Sequence, residues 1–194
     1  TLHRLPPELA VRLFRVYGDL AEDALRDDPY LLTEPYFGAD FAAVDAFALE
    51  MDVEADDERR VEAGILFELS YNLTNGHTFI PEKKLIPATA ALLNLDSDTV
   101  ERGLDRLSEQ ERMVRSEIAG LTACYLPEFY EAEQYITERL ARMARTRIEP
   151  PRTLEKTLSG VQKKNAIQYA QSQLQAIRDA ASYQLLLVTG GPGT

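Results

Sequence analysis

The segment that decides the fold reads DDERRVEAGILFELSYNL over residues 56–73 and predicts an amphipathic helix that begins with acidic side chains. A turn with a short extended piece follows over 74–81, and two helical segments follow over 82–95 and 96–110. The second of these begins with an aspartate cap. Residues 112–127 contain two β-prone runs around the dipeptide AG and predict a hairpin. The order helix, extended piece, helix, helix, hairpin predicts a winged-helix-like domain.

The third helix of a winged helix is often the one that contacts DNA. Here this helix carries Arg102 and Arg106, which are four residues apart and therefore lie on one face. Lys83 and Lys84 are further candidates for phosphate contacts. Acidic residues at positions 101, 105, 109 and 111 surround the arginines. The pattern therefore favours a structural or protein-binding module over base reading, and both uses stay open.

The regions on either side of this domain have their own signals. Prolines at positions 6 and 7 favour a helix start, and the segment DPYLLTEPYFGADF over 28–41 is rich in turn residues. A long helix is predicted over 127–148, and two prolines within 149–153 predict a linker. We expect a mainly α fold in three parts: a front region over 1–56, the winged-helix-like domain with the long helix over 57–148, and a linker with a terminal segment over 149–194.

The composition is that of an ordinary globular protein, with 45% hydrophobic and 27% charged residues in a chain of 194. No apolar run is long enough to cross a membrane, and the N-terminus lacks the pattern of a signal peptide. We therefore expect a cytoplasmic protein. One cysteine, Cys124, excludes a disulfide framework and a cysteine-rich zinc site, and two histidines disfavour a histidine-based metal site. We predict no metal site and no catalytic residue in this chain.

The net charge of −11 is concentrated at the front of the chain. Residues 1–56 carry −9, residues 57–147 carry −4 and residues 148–194 carry +2. The acidic front region repels a phosphate backbone at long range, so any nucleic-acid contact there must come from local geometry. A protein partner is at least as natural a ligand for this acidic surface.

The last ten residues, LLLVTGGPGT over 185–194, carry an apolar run typical of a parallel strand buried on both faces. The glycines that follow allow backbone turns that side chains forbid. A phosphate loop begins in this way, with a strand that enters a glycine-rich turn. The full loop pattern is G-x-x-x-x-G-K-[ST], and its last three positions lie beyond Thr194.

Two motifs together resemble the RecD-like DNA helicases, superfamily 1 enzymes related to the alpha subunit of exodeoxyribonuclease V. In that family a Q-x-x-A-I segment precedes a G-G-P-G-T-G-K-T phosphate loop. Gln173, Ala176 and Ile177 match the first motif, and residues 190–194 match the first five positions of the second.

The resemblance continues upstream of the motor motifs. The longer members of the family carry a helix-hairpin-helix element of the form N-P-Y-x-L, followed by G-I-G-F-x-x-A-D-x-I-A, by R-x-x-A-G, and by G-H-T with a proline soon after. A Y-L-x-x-x-x-x-A-E segment follows, and residues 125–133 are similar to it. The matching residues here are Pro29, Tyr30, Leu32, Gly38, Phe41, Asp45, Ala48, Arg60, Ala63, Gly64, Gly76, His77, Thr78 and Pro81.

The resemblance implies a motor that hydrolyses ATP with Mg²⁺ and moves 5′ to 3′ on single-stranded or forked DNA in recombination and repair. This chain would be the accessory region plus the first helix and strand of an α/β RecA-like motor domain. It would end before the loop lysine that reaches the phosphates, so we expect neither ATPase nor helicase activity from it. The incomplete nucleotide site would consist of Gln173 at the adenine edge and of Gly190, Gly191, Pro192, Gly193 and Thr194.

A helix-hairpin-helix binds DNA phosphate through backbone amides, and the resemblance assigns this role to Gly38, Ala39 and Phe41. The second glycine of the family's G-I-G is Asp40 here, which opposes a phosphate electrostatically. A packing role for the hairpin is therefore at least equal to DNA binding. The alternative function is an acidic helical module that binds a protein partner and has no nucleotide site.

Overall fold

The computed structural model of the chain describes residues 6–190 and divides at residue 130 into two compact units. Each unit is described by itself. The finer division predicted from the sequence, with boundaries at 56 and 148, stays a prediction.

The first unit is mainly helical and contains one small sheet. Short 3₁₀ turns at Gly18–Leu20 and Pro29–Thr33 separate its first helices. The helices are α1 (Pro7–Tyr17), α2 (Ala21–Asp27), α3 (Phe41–Glu50), α4 (Glu58–Leu73), α5 (Glu82–Leu93) and α6 (Ser97–Glu109), and the strands are β1 (Ile80–Pro81), β2 (Val114–Ile118) and β3 (Leu121–Tyr125).

Aspartates begin three of these helices. The carboxylate of Asp40 accepts a hydrogen bond from the backbone N–H of Ala43 at 3.1 Å, which caps α3. Asp96 caps α6 through the N–H of Thr99 at 2.8 Å, as its position before the helix predicts. Asp57 performs the same function for α4.

The predicted hairpin over 112–127 is confirmed. Strands β2 and β3 pair antiparallel from Val114 opposite Tyr125 to Ile118 opposite Leu121, and β1 pairs with the other edge of β3. The sheet order is thus β1–β3–β2. Ala119 and Gly120 form the turn with φ values of 49° and 82°, and Gly120 adopts this left-handed backbone without a side-chain clash. Cys124 is buried in β3, as expected for a small core residue.

Helices α4, α5 and α6 pack closely around the core. Val61, Ile65, Leu85, Val100, Leu104 and Leu107 are fully buried there. Two glycines allow the close approach. A Cβ at Gly103 of α6 would lie 2.5 Å from Val61 Cγ1, and one at Gly64 of α4 would lie 2.8 Å from Leu93 Cδ1.

The second unit continues with α7 (Pro127–Arg145), which begins in the first unit, and with α8 (Leu154–Asn165) and α9 (Gln171–Ser182). The linker predicted over 149–153 is non-helical. The segments that follow α7 and α9 meet at an isolated antiparallel bridge between Arg147 and Tyr183, where the Arg147 guanidinium lies 4.8 Å from the centre of the Tyr183 ring.

The predicted strand over 185–189 is wrong for this structure. Residues 184–190 form no strand, and the Leu187 and Val188 side chains are 85% and 75% exposed. A parallel strand needs backbone partners on neighbouring strands, and the described part of the chain offers this segment none. Residues 191–194, with Gly191, Pro192, Gly193 and Thr194, lie outside the described residues.

We expect Gly103→Ala to destabilise the protein by about 1–3 kcal/mol, because the added methyl group overlaps the β-branched Val61 side chain. Urea unfolding followed by circular dichroism measures the change. Gly160→Ala in α8 is the matched control: nothing lies within 4 Å of its added Cβ, and a helical alanine is favoured by up to about 1 kcal/mol. An unchanged unfolding midpoint for Gly103→Ala would contradict the close contact of α4 and α6.

Candidate functional site

A buried ion pair in the first unit connects the front region to α4. Arg60 of α4 donates from Nε to Asp45 Oδ1 at 2.8 Å and from Nη2 to Oδ2 at 3.0 Å. The Tyr30 hydroxyl donates to the same Asp45 Oδ1 at 2.7 Å. The Arg60 and Asp45 side chains are only 6% and 15% exposed. These three residues all belong to the motifs that resemble the helicase family.

The rest of the Arg60 guanidinium binds backbone. Its Nη1 donates to the Ala55 carbonyl at 2.6 Å and to the Leu93 carbonyl at 3.1 Å. Burial alone would lower the pKa of Arg60, but the hydrogen bonds and charge of Asp45 raise it above its ordinary value. Burial, followed by the hydrogen bond to Asp45, raises the pKa of Tyr30 far above that of a free tyrosine. Because both pKa values are raised, the Tyr30 hydroxyl and the Arg60 guanidinium keep their protons, and the arrangement is suited to structure rather than proton transfer.

The helix-hairpin-helix segment uses its own amides internally. The N–H of Gly38 donates to the Glu34 carbonyl at 2.8 Å, and the N–H of Ala39 donates to the Leu32 carbonyl at 3.0 Å. Gly38 has a φ of 65°, so its glycine identity is required by the turn. The Phe41 side chain is buried. The three predicted DNA-contacting residues of this segment thus lie together in one hairpin, where two of their amides already have partners.

The predicted DNA-contacting arginines of α6 also have partners within the first unit. Arg106 contacts Glu62 Oε1 at 3.2 Å through Nε and Glu58 Oε1 at 3.4 Å through Nη1. Arg112 contacts the other oxygen of Glu62 at 3.2 Å. Arg102 donates from Nη2 to the Thr99 hydroxyl at 2.9 Å. Acidic side chains therefore neutralise much of the positive charge near α6.

Lys83 and Lys84 are in a different situation. Both are exposed in the first turn of α5, and neither has an ion-pair partner in the part of the chain that the structure describes. Lys84 lines a cavity of about 410 Å³ together with Asn72, Gly76 and His77 of the turn between α4 and β1. Of the DNA-contacting candidates, these two lysines and the exposed Arg102 have no carboxylate partner among the described residues.

The nucleotide-site candidates of the second unit do not form a nucleotide site among the described residues. Gln173 lies in the first turn of α9, and its Oε1 accepts a hydrogen bond from the Ala170 N–H at 3.0 Å. The oxygen that would accept a bond from adenine is thus occupied by its own helix. Gly190 is exposed and follows no strand. Since Gly191, Pro192, Gly193 and Thr194 lie outside the described residues, the nucleotide site stays a prediction; no group of three or more metal-ligating side chains occurs within residues 6–190.

The first unit also contains a concavity that the sequence analysis did not predict. It has a volume of about 460 Å³ and is called the α4 groove here. Leu66 and Phe67 of α4 and Ala39 and Phe41 of the hairpin contribute apolar surface, and Leu126 does so from the end of β3. The sequence contains only a weak signal for this groove: the apolar residues Leu66 and Phe67 lie beside the core positions 61, 65 and 69 on α4 and widen its apolar face.

Comparison with known proteins shows which family the front region resembles. Residues 1–79 match the family model described as the ATP-dependent RecD2 DNA helicase HHH domain. The chain is also 29% identical, over 197 aligned positions, to the ATP-dependent RecD2 DNA helicase of Deinococcus radiodurans. That alignment covers 95% of this chain and 27% of the relative, so the chain spans about a quarter of the relative's length. These matches confirm the resemblance to RecD-like DNA helicases.

We expect Asp45→Asn to destabilise the protein by about 3–5 kcal/mol, because it leaves the Arg60 guanidinium buried without a counter-charge. Urea unfolding of the whole chain gives the change. Asp56→Asn is the matched control, since Asp56 is exposed and its substitution should stay within about 0.5 kcal/mol. If the two variants unfolded at the same urea concentration, the ion pair would not be the connection that the structure indicates.

Proposed function

We propose that this chain is the N-terminal accessory region of an ATP-dependent 5′–3′ DNA helicase of the RecD type, acting in the cytoplasm in DNA recombination and repair. The match of residues 1–79 to a helicase helix-hairpin-helix domain carries the proposal. The structure supports it, because Tyr30, Asp45 and Arg60 come from three separate motifs of the resemblance and form one hydrogen-bonded network. ATP, Mg²⁺ and the translocated single-stranded or forked DNA belong, in this proposal, to the longer protein's motor.

We further propose that residues 57–126 are a winged helix. The order α4, β1, α5, α6, β2, β3 and the sheet order β1–β3–β2 support this assignment. Its third helix, α6, exposes Asp98, Glu101 and Glu109, while its Arg106 is paired with Glu58 and Glu62. Such a face complements a basic protein surface better than a DNA backbone. The winged helix is therefore proposed as a docking element of the helicase.

The second candidate function is a protein-interaction module that never joins a motor domain. The charge of −9 over residues 1–56 and the acidic face of α6 favour it. Under this alternative the glycines after Val188 form a polar tail and no part of a phosphate loop.

Reading the source gene past codon 194 separates the two functions. The helicase proposal requires Gly-Lys-Thr or Gly-Lys-Ser as the next three residues, because these complete the pattern that begins at Gly190. Any other continuation, including a stop codon, would refute the helicase proposal and leave the interaction module.

We expect the isolated chain to bind a labelled single strand or fork with a Kd weaker than about 10 μM at physiological salt, because its free charge is mostly negative. Fluorescence anisotropy measures binding. Lys83→Glu with Lys84→Glu should weaken the remaining binding, whereas Lys163→Glu with Lys164→Glu, which changes the charge equally on α8, should leave it unchanged.

The same preparation should release no phosphate from ATP when single-stranded DNA is present, since it lacks the loop lysine. Tight, salt-sensitive DNA binding would contradict the first of these expectations, and DNA-stimulated phosphate release would contradict the second.

A further inference from the structure

The α4 groove combines an apolar floor with an acidic rim. Leu66 and Phe67 are only half-buried, although Ile65 and Leu69 of the same helix are buried. The exposed side chains of Glu34, Asp40 and Glu128 surround this apolar surface. The volume of about 460 Å³ lies within the range of sites that hold a compact ligand or one or two anchoring side chains.

We propose that the α4 groove binds a short basic peptide segment of a protein partner, in which one or two aromatic or branched apolar side chains are flanked by lysine or arginine. The apolar side chains would enter the groove, and the flanking cations would contact the acidic rim. This inference goes beyond the accessory role, since it names a partner chemistry and does not depend on the motor domain.

Two stacked aromatic rings form the floor of the groove. The rings of Phe41 and Phe67 stack with their centres 5.0 Å apart, and Phe41 is itself buried. Phe41 follows Asp40, whose cap fixes the start of α3. An aromatic floor favours an aromatic or branched apolar anchor, because stacked and edge contacts stabilise such a side chain beyond the burial of its area.

The charge of the rim selects the flanking residues of the partner. Glu34 and Glu128 have no ion-pair partner within residues 6–190, whereas the one cation of the lining, Arg112, is already paired with Glu62. The front region adds a net charge of −9 around the groove's hairpin wall. This field attracts lysine and arginine and repels both an acidic peptide and a nucleic-acid strand.

Fluorescence anisotropy with two synthetic peptides tests the proposal on the whole chain. The probe is a labelled 14-residue peptide with a central Phe-x-x-Leu and four flanking lysines; the comparison peptide carries four glutamates in place of the lysines. We expect saturable binding of the lysine peptide in the range of about 1–100 μM, weakened at least several-fold in 0.5 M NaCl, and no saturation with the glutamate peptide.

Charge-changing variants locate the site. Glu34→Lys with Glu128→Lys should weaken binding of the lysine peptide about tenfold or more. Glu138→Lys with Glu149→Lys makes the same charge change at exposed positions of the second unit and should alter it less than about twofold if binding is local to the groove. Ser70→Glu adds an acid to the groove's edge and should strengthen binding, a gain that misfolding cannot imitate.

The proposal is overturned if neither peptide binds, if both bind equally, or if the Glu138/Glu149 control variant and the rim variant weaken binding to the same extent. Preferential binding of a single-stranded oligonucleotide in competition with the lysine peptide would likewise overturn it, and would assign the groove to nucleic acid. None of these outcomes bears on the codons after position 194, so the groove and the helicase proposal fail separately.

Discussion

The Asp45–Arg60 ion pair is the interaction on which the rest of the first unit depends. Its hydrogen bonds join three helices: Asp45 belongs to α3, Arg60 to α4, and the Leu93 carbonyl to the end of α5. A buried guanidinium is stable only when its donors have partners, so the three segments must keep this arrangement together. The hairpin that precedes α3 is thereby held against the helices that form the core.

Most of the groups that the resemblance assigns to DNA contacts have partners within the same unit. The amides of Gly38 and Ala39 donate to carbonyls of their own segment. Glu62 forms ion pairs with both Arg106 and Arg112. Each of these groups would otherwise be suited to a phosphate. Because the paired cations are largely neutralised while acidic residues remain exposed, the surface field is negative. This distribution of charge supports the proposal that a domain matching a DNA helicase model binds a basic protein segment.

Local signals in the sequence predicted local structure well, and long-range pairing was where prediction failed. Asp96 before α6 and the dipeptide at Ala119 and Gly120 each determine a cap or turn from adjacent residues alone, and both are confirmed. The apolar run over 185–189 was different, because a strand exists only when another strand pairs with it. Glu62 was missed for the same reason: its partners lie more than forty residues away. The α4 groove, too, exists only where separate segments meet.

The position of the groove connects these observations. Its hairpin wall, which includes Ala39 and Phe41, is the segment that the family resemblance assigns to DNA. In this chain Asp40 takes the place of the hairpin's second glycine and caps α3, so the segment is rigid and locally acidic. Rigidity lowers the entropy lost when a partner binds, and the acid excludes phosphate. An acid at this one hairpin position therefore disfavours a phosphate and favours a cationic group, as the proposed peptide site requires, while the ion pair of Asp45 and Arg60 holds α3 against α4.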